Sequence, residues 1–189
     1  MEKENPISST AQRIVDRCFV AFNQFGFAAV SMDSISKELK ISKKTIYKHC
    51  ASKEELLELA LSQTLRRVEE KLAKNKRQES PKSAFSDFFE VWKFWRMAVS
   101  LKLRTDLIKH LPHQEERLVN FERQVLLRSL AGSLKDFRSE GLLDYPSPTR
   151  EFAAVLLRVM DSLVDANTEQ AQMILASLAR GLSPKKKKK

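Results

Sequence analysis

The residues best placed to do chemistry in this chain are lysines. Six of them, Lys37, Lys40, Lys43, Lys44, Lys48 and Lys53, stand between positions 37 and 53 against a single acid, Glu38. That stretch carries net +5 of the chain's formal +10, the terminal run Lys185–Lys189 carries another +5, and the remaining residues cancel. Positive charge concentrated in this way marks a surface that meets a polyanion. On a helical wheel starting at Lys43, Tyr47 falls at about 40°, Lys44 at about 100° and Lys48 at about 140°, one contiguous arc. Ile46, near 300°, lies on the far side of that arc's centre, with Ser42 and His49 near 250°. A short helix here therefore turns a basic, tyrosine-bearing face outward and an isoleucine inward. Such a helix fits the DNA major groove, where its N-terminal residues reach base edges. Lysines neutralise phosphates or donate to guanine, and a tyrosine donates to phosphate or packs on a thymine methyl.

Other chemistries fare worse. His110, His113 and Glu116 recur at three-residue spacing, as metal ligands on one helix face would, but Pro112 interrupts that helix. With three histidines in all, no glycine-rich phosphate loop and no serine elbow, a metal-dependent enzyme is a weak alternative. The expectation is no catalytic residue, no metal and no cofactor. Cys18 and Cys50 lack zinc spacing and are too few for a disulfide framework, so each is expected as a small buried apolar residue in a reducing compartment. No apolar run of membrane-spanning length occurs, and Met1 to Ser9 is polar, so a cytoplasmic protein without membrane contact is expected.

The elements that must carry these residues read as helices throughout. Glycine occurs four times, there is no Asn-Gly or Asp-Gly hairpin signal, and no apolar alternation is sustained. The fold class is all-α. Ser9 or Thr10 caps a first helix, with Gln12 as capping-box partner, Ile14, Cys18, Ala21, Phe22 and Phe25 on its apolar face, and Gly26 as its stop. Ser31 begins a short second helix bearing Met32, Ile35 and Leu39. After a tight turn at Lys40 and Ile41, Ser42 is the N-cap of the lysine-bearing third helix, reaching about His49. Ser52 opens a long fourth helix with Glu55 completing a capping box. Its buried stripe is Leu57, Leu61, Leu65, Val68 and Leu72, and it fades between Lys74 and Ser80. Helices follow from Ser80-Pro81, over Leu103–Leu111 ending at Pro112, over Glu115–Glu140 stopped by Gly141, from Ser147-Pro148 to near Asn167, and from Thr168 to Leu182.

The stretch Val30–Leu61, VSMDSISKELKISKKTIYKHCASKEELLELAL, resembles the DNA-binding core of the tetracycline-repressor (TetR/AcrR-like) family of transcriptional regulators. Phe25-Gly26-Phe27 matches the end of that family's first helix, Ile35 its second, and Ile41-Ser42 its turn. Lys43, Thr45, Ile46 and Tyr47 match its reading helix, and Ser52-Lys53-Glu54-Glu55-Leu56 the start of its connecting helix. The likeness is specific over about residues 10–61 and only architectural beyond. Three positions depart from the pattern. Lys40 stands where glycine is usual, at a cost of about 1 kcal/mol for a left-handed backbone. Lys44 stands for glycine or alanine, and Cys50 for phenylalanine. The resemblance implies that Lys43, Thr45, Tyr47, Lys48 and His49 face DNA, with Ser31 and Lys53 on phosphates; the wheel adds Lys44, and Ser42 caps the helix at the groove.

The resemblance also implies a division into a helix-turn-helix domain (1–51), a connecting helix (52–80) and a ligand-sensing and dimerisation domain (81–184), about nine helices in all, while the charge run after Ser183-Pro184 reads as a disordered lysine tail (185–189). In the second domain Phe85, Phe88, Phe89, Trp92, Phe94 and Trp95 share one helix, with Phe121 and Phe137 from another. These are foremost core residues; as pocket walls the candidates are Phe88, Phe89, Trp92, Trp95 and Phe121, with Arg96, Arg104 or His110 as polar anchor for an unknown small-molecule effector. The last two helices are apolar on more than one side, which calls for a second burial partner. Leu156, Val159, Met160, Leu163, Ile174 and Leu178 are the candidate interface of a two-fold homodimer. Two reading helices related by that axis would read an inverted-repeat operator, and an effector would release a repressor through the long fourth helix. The competing reading is a helical protein-interaction module without specific DNA binding.

Overall fold

A computed structural model describes residues 9–75, 81–145 and 147–162. Among them every regular element is helical, as the sequence predicts. In chain order these are α1 (Ser9–Phe25), α2 (Met32–Leu39), α3 (Lys43–Tyr47), α4 (Lys53–Asn75), α5 (Pro81–Ala98), α6 (Leu101–His110) and α7 (Pro112–Phe121). A π-helical segment (Glu122–Leu126) joins α7 without a break to α8 (Leu127–Ser139), and α9 (Thr149–Ser162) follows. The helix expected over 168–182 and the lysine tail lie outside the described residues, as do Leu163, Ile174, Leu178 and the side chain of Phe85.

Two local expectations are corrected. Pro112 opens α7 instead of merely closing the helix before it. Proline suits a first helical position, where its missing N–H is not needed, so the helix begins three residues before Glu115. Gln12 makes no capping box with Ser9. Its side-chain amide donates to Asp16 Oδ1 at 2.8 Å and exchanges hydrogen bonds with the Gln63 amide at 2.9 and 3.0 Å, which ties α1 to α4.

The described chain gathers into two compact units that do not follow chain order. One takes residues up to Val68 together with Met97–Leu118; the other takes Glu69–Arg96 with the residues from Val119 onward. In the first, Ile14, Cys18 and Phe22 of α1, Ile35 of α2, Ile46 of α3, Leu57 and Leu61 of α4 and Leu103 and Leu107 of α6 are buried together with Phe27 and Val30. Helix α6 is fastened to the end of α1 by polar groups as well. Asn23 donates from Nδ2 to the Ala98 carbonyl at 3.1 Å, and its Oδ1 accepts from the Ser100 N–H at 2.7 Å. The Ser100 hydroxyl, which accepts from Leu103 N as the cap of α6, also donates to the Asn23 carbonyl at 2.8 Å. Asp106 Oδ2 accepts from Ala28 N at 2.9 Å, just past Gly26.

In the second unit Phe88, Val91, Trp92 and Trp95 of α5 are buried, as are Phe121, Leu126, Leu130 and Leu134, and the Trp95 and Phe121 rings lie close together. Both tryptophan N–H groups are satisfied: Trp95 Nε1 donates to Glu122 at 2.9 Å and Trp92 Nε1 to Asp161 at 3.2 Å. Gly141 (φ +67) ends α8, and the chain returns to α9 past a buried Tyr145. That ring stacks on Phe152 at 4.5 Å and lies under the Arg138 guanidinium at 4.4 Å.

Gly26 and Gly132 make opposite predictions. Gly26 has φ +88, and a β-carbon there would lie 2.5 Å from Asp106 Oδ2. Gly26→Ala should cost about 1–3 kcal/mol in denaturant unfolding, combining backbone strain with displacement of the Asp106 carboxylate from Ala28 N. Gly132 lies within α8 with nothing near its absent β-carbon. There Gly132→Ala should be neutral or stabilise by up to about 1 kcal/mol in the same experiment.

Candidate nucleic-acid interface

The lysine-rich segment forms a helix-turn-helix held at its turns by short-range hydrogen bonds. Ser31 is the N-cap of α2 in a reciprocal box with Ser34: Ser34 N donates to Ser31 Oγ at 3.1 Å and Ser31 N to Ser34 Oγ at 3.3 Å. Helix α2 ends at Lys40, whose backbone is left-handed (φ 55, ψ 40), the conformation expected from its place in the turn. Ile41 N then donates to the Ser36 carbonyl at 3.1 Å. Ser42 is the N-cap of α3, accepting from Thr45 N at 3.0 Å, while its hydroxyl meets that of Thr45 at 2.9 Å. Helical hydrogen bonding continues past Tyr47, through His49 N and Cys50 N to the Ile46 carbonyl.

Ile46 is completely buried, whereas Lys43, Lys44, Tyr47 and Lys48 are exposed. The outward arc is therefore basic and carries a tyrosine, 48% exposed. Lys37 and Lys40 are exposed nearby, and among the described residues Lys37, Lys40, Lys44 and Lys48 make no ion pair. Thr45 and His49 are half-buried, Thr45 being held against Ser42. Ser31 is exposed at the start of α2.

Two lysines are engaged by the protein itself. Lys43 Nζ meets Asp33 Oδ1 of α2 at 2.7 Å, and that hydrogen bond and charge push the Lys43 ammonium above its ordinary pKa. Lys53, expected on a phosphate, donates to the carbonyls of Phe27 at 2.9 Å and Val30 at 3.0 Å and sits 4.2 Å over the Phe27 ring. Its donors close the α1–α2 turn from the α4 side. At the start of α4, Ser52 Oγ accepts from Glu55 N as expected, but the Glu55 carboxylate returns to Ala51 N, one residue before the cap.

Beneath α3 the two cysteines are free and buried. Cys50 Sγ donates to the Ile46 carbonyl at 3.5 Å, occupying the place where the resembled family has a phenylalanine. Burial, and secondarily the neighbouring Cys50, pushes Cys18 up to about 12. Burial, with Glu55 second, pushes Cys50 up to about 11.

The remaining candidates fall as follows. Phe88, Trp92, Trp95 and Phe121 are buried, with Trp95 and Phe121 rings 5.2 Å apart. Phe89 is half-buried and stacks on Trp92 at 5.5 Å. Arg96 is half-buried, with Nε 3.6 Å from Asp161. Arg104 is paired to Glu115 of α7 at 2.6 Å, and His110 is exposed. His110 ends α6 and His113 lies in α7, and among the described residues no group of three or more His, Cys, Asp or Glu could hold a metal. On α9, Leu156 and Met160 are buried. Val155 is exposed, and Ala154, Leu157 and Val159 are half-buried. The helical repeat could have found Val155, one turn before Val159. Asp33, ten residues from its lysine, could be found only in three dimensions. No described helix is long and apolar enough to cross a membrane.

Residues 10–60 match the family described as bacterial regulatory proteins, tetR family. Comparison with curated protein sequences gives no match. Among solved structures, a TetR-family transcriptional regulator from Agrobacterium tumefaciens is similar at a TM-score of 0.75 and 18% identity, over 93% of this chain and 98% of that one. A ketosteroid transcriptional regulator of Mycobacterium tuberculosis is similar at 0.73 and 14% identity, over 95% and 97%. GusR of Salmonella enterica is similar at 0.70 and 20% identity, over 96% and 99%.

The engaged lysine and the buried thiols each predict a measurable effect. Lys53→Met should lower stability by about 1–3 kcal/mol, the loss of hydrogen bonds from a charged donor. Lys48→Met should leave urea unfolding nearly unchanged. For the thiols, a folded pKa above the ordinary 9.0 means the neutral form is favoured by folding. That contribution is complete below about pH 9 and is lost as pH rises towards the folded values. Unfolding free energy should therefore fall more steeply above about pH 9 in the wild type than in a Cys18→Ala/Cys50→Ala variant; parallel pH profiles would contradict it.

Proposed function

We propose that this chain is a sequence-specific DNA-binding transcriptional regulator of the TetR kind that reads the major groove with α3, a reading supported by the match of residues 10–60 to the tetR family of bacterial regulatory proteins and by the fold shared with TetR-family structures. The observation that carries this reading is the two-sidedness of α3. Ile46 is sealed beneath it, and Lys44, Tyr47 and Lys48 stand exposed on a helix whose N-terminus is capped by Ser42. An exposed basic face on so short a helix suits a duplex groove. Lys44, Lys48, Lys37 and Lys40 supply phosphate neutralisation, and Tyr47 and Lys43 reach towards base edges. Ser31, at the exposed N-terminus of α2, suits a phosphate.

In this reading the protein works in the cytoplasm as a homodimer and is not an enzyme. Two copies of α3 read an inverted repeat in successive major grooves, and the exposed Val155 side of α9 contributes to the subunit interface. An effector bound within the second unit, beside Phe89 and Arg96, stabilises a form that binds the operator less well, and the operator weakens effector binding by the same factor. The regulator is then a repressor released by its effector.

The decisive experiment mixes the full chain with fragmented source genome and sequences the bound DNA at low and near-physiological salt. Recovery of an inverted repeat at the higher salt is expected. Lys48→Ala should weaken binding to all sequences alike and lower the salt slope by about 0.9 per phosphate no longer neutralised, whereas Tyr47→Ala should cut discrimination at specific positions about tenfold. Binding that vanishes at the higher salt with no shared motif leaves only counterion release, and the chain is then a helical interaction module.

A further inference from the structure

The interface contains one acid aimed at a lysine of α3; its place in the first turn of α2 suits the helix N-terminus but does not call for a lysine partner. Asp33 lies in the first turn of α2 and Lys43 opens α3; the side chains of Lys43 and Asp33 are 51% and 59% exposed and meet at 2.7 Å. An exposed pair of this kind adds almost nothing to stability, because water screens it and both chains lose rotamer freedom. An acid beside a DNA-facing surface is also costly for affinity, since it repels phosphate. The pair therefore calls for a reason at the level of recognition. We infer that Asp33 is a specificity-determining residue, which withholds Lys43 from the phosphate backbone and sets it as an oriented hydrogen-bond donor to a base edge. The inference rests on the DNA-reading role proposed for α3.

An ammonium carries three donors on a four-carbon stem and behaves as a mobile point charge when nothing holds it. Left unpaired, Lys43 would settle on the nearest phosphate of any sequence and add one released counterion per subunit to non-specific binding. Paired to Asp33, its charge is already compensated, so moving onto a phosphate releases little. One donor is spent on the carboxylate and two remain, at the first residue of the reading helix. A base presenting an acceptor there is rewarded, while a phosphate gains nothing and is repelled by Asp33. Specificity is a difference of affinities, and a device that weakens the wrong contact raises it as surely as one that strengthens the right one. Lys44 and Lys48, with no ion pair among the described residues, keep the non-specific role.

The test compares full-chain wild type, Asp33→Asn, Lys43→Met and the double variant. Each is titrated onto a duplex bearing the preferred sequence and onto a scrambled duplex over a range of salt. Asp33→Asn should bind the scrambled duplex several-fold more tightly. Its salt slope there should steepen by about 0.9 per subunit as Lys43 takes a phosphate. Discrimination between the duplexes should fall about tenfold, the worth of one good hydrogen-bonded base. The slope change should vanish in the Lys43→Met background, and the thermal midpoint of Asp33→Asn should stay within about a degree or two of wild type, as for a solvated pair. A wild type with no preferred sequence overturns the functional reading and this inference together. A wild type that prefers one sequence, with Asp33→Asn leaving slope and discrimination unchanged, overturns this inference alone. So does an Asp33→Asn effect of the same size without Lys43, which would make the acid a bulk charge.

Discussion

A helix of five residues cannot hold itself together. Nucleating a helical turn fixes several residues for one hydrogen bond, and an isolated helix needs about three times this length before it is even marginal in water. Helix α3 exists because Ile46 is completely buried and because Ser42 closes its N-terminus. Burying an isoleucine is worth about 1.5–3 kcal/mol and a serine cap about 1 kcal/mol. Those two terms offset the ordering of a short segment, and they also fix its rotation. With Ile46 inward, Lys44, Tyr47 and Lys48 have no direction but outward. The exposure of the basic face is thus a consequence of the burial of one side chain.

The first unit is held by polar ties as well as by packing. The turn between α1 and α2 is gripped from two sides: Lys53 reaches the carbonyls of Phe27 and Val30, and Asp106 takes the N–H of Ala28. Both grips use a charged group on a backbone partner, the kind of hydrogen bond worth about 1.5–3 kcal/mol. A lysine reaching into water for a phosphate would gain much less by itself, since that contact is made in high dielectric and weakened by salt. This difference in magnitude decides where Lys53 goes. It also places α6, through Asp106 and the Asn23–Ser100 exchange, among the elements fastened to the end of α1 and the turn that follows it.

Whatever depends on neighbours along the chain is legible in the sequence. Ser31, Ser42 and Ser52 cap because a hydroxyl reaches a backbone N–H two or three residues on. Ile46 is buried because the wheel leaves it opposite the lysines. Lys40 takes a left-handed backbone because it stands where the resembled family places glycine. What depends on a partner far along the chain is not legible. Gln12 has a capping-box spacing and spends its amide on Gln63 instead. Pro112 stops one helix and starts another, which its ring permits equally. The π segment at Glu122–Leu126 leaves no mark in composition, and its first residue acquires meaning only when the Trp95 N–H meets it.

The lysine stretch shows why a charge count overstates an interface. Six lysines against one acid look like a uniform basic patch, yet their surroundings divide them. Lys53 is spent on backbone carbonyls and Lys43 on a carboxylate, so neither is a phosphate clamp in the resting molecule. The charge that the stretch leaves for a polyanion is that of Lys37, Lys40, Lys44 and Lys48, which stand on the surface of α2, the turn and α3. The number of counterions this segment could displace from a duplex is bounded by these four and not by six. Tyr47 stands exposed on α3 as the large aromatic group. In the proposed reading, affinity and discrimination fall to different side chains of one short segment, and the exposure of both sets follows from the burial of Ile46.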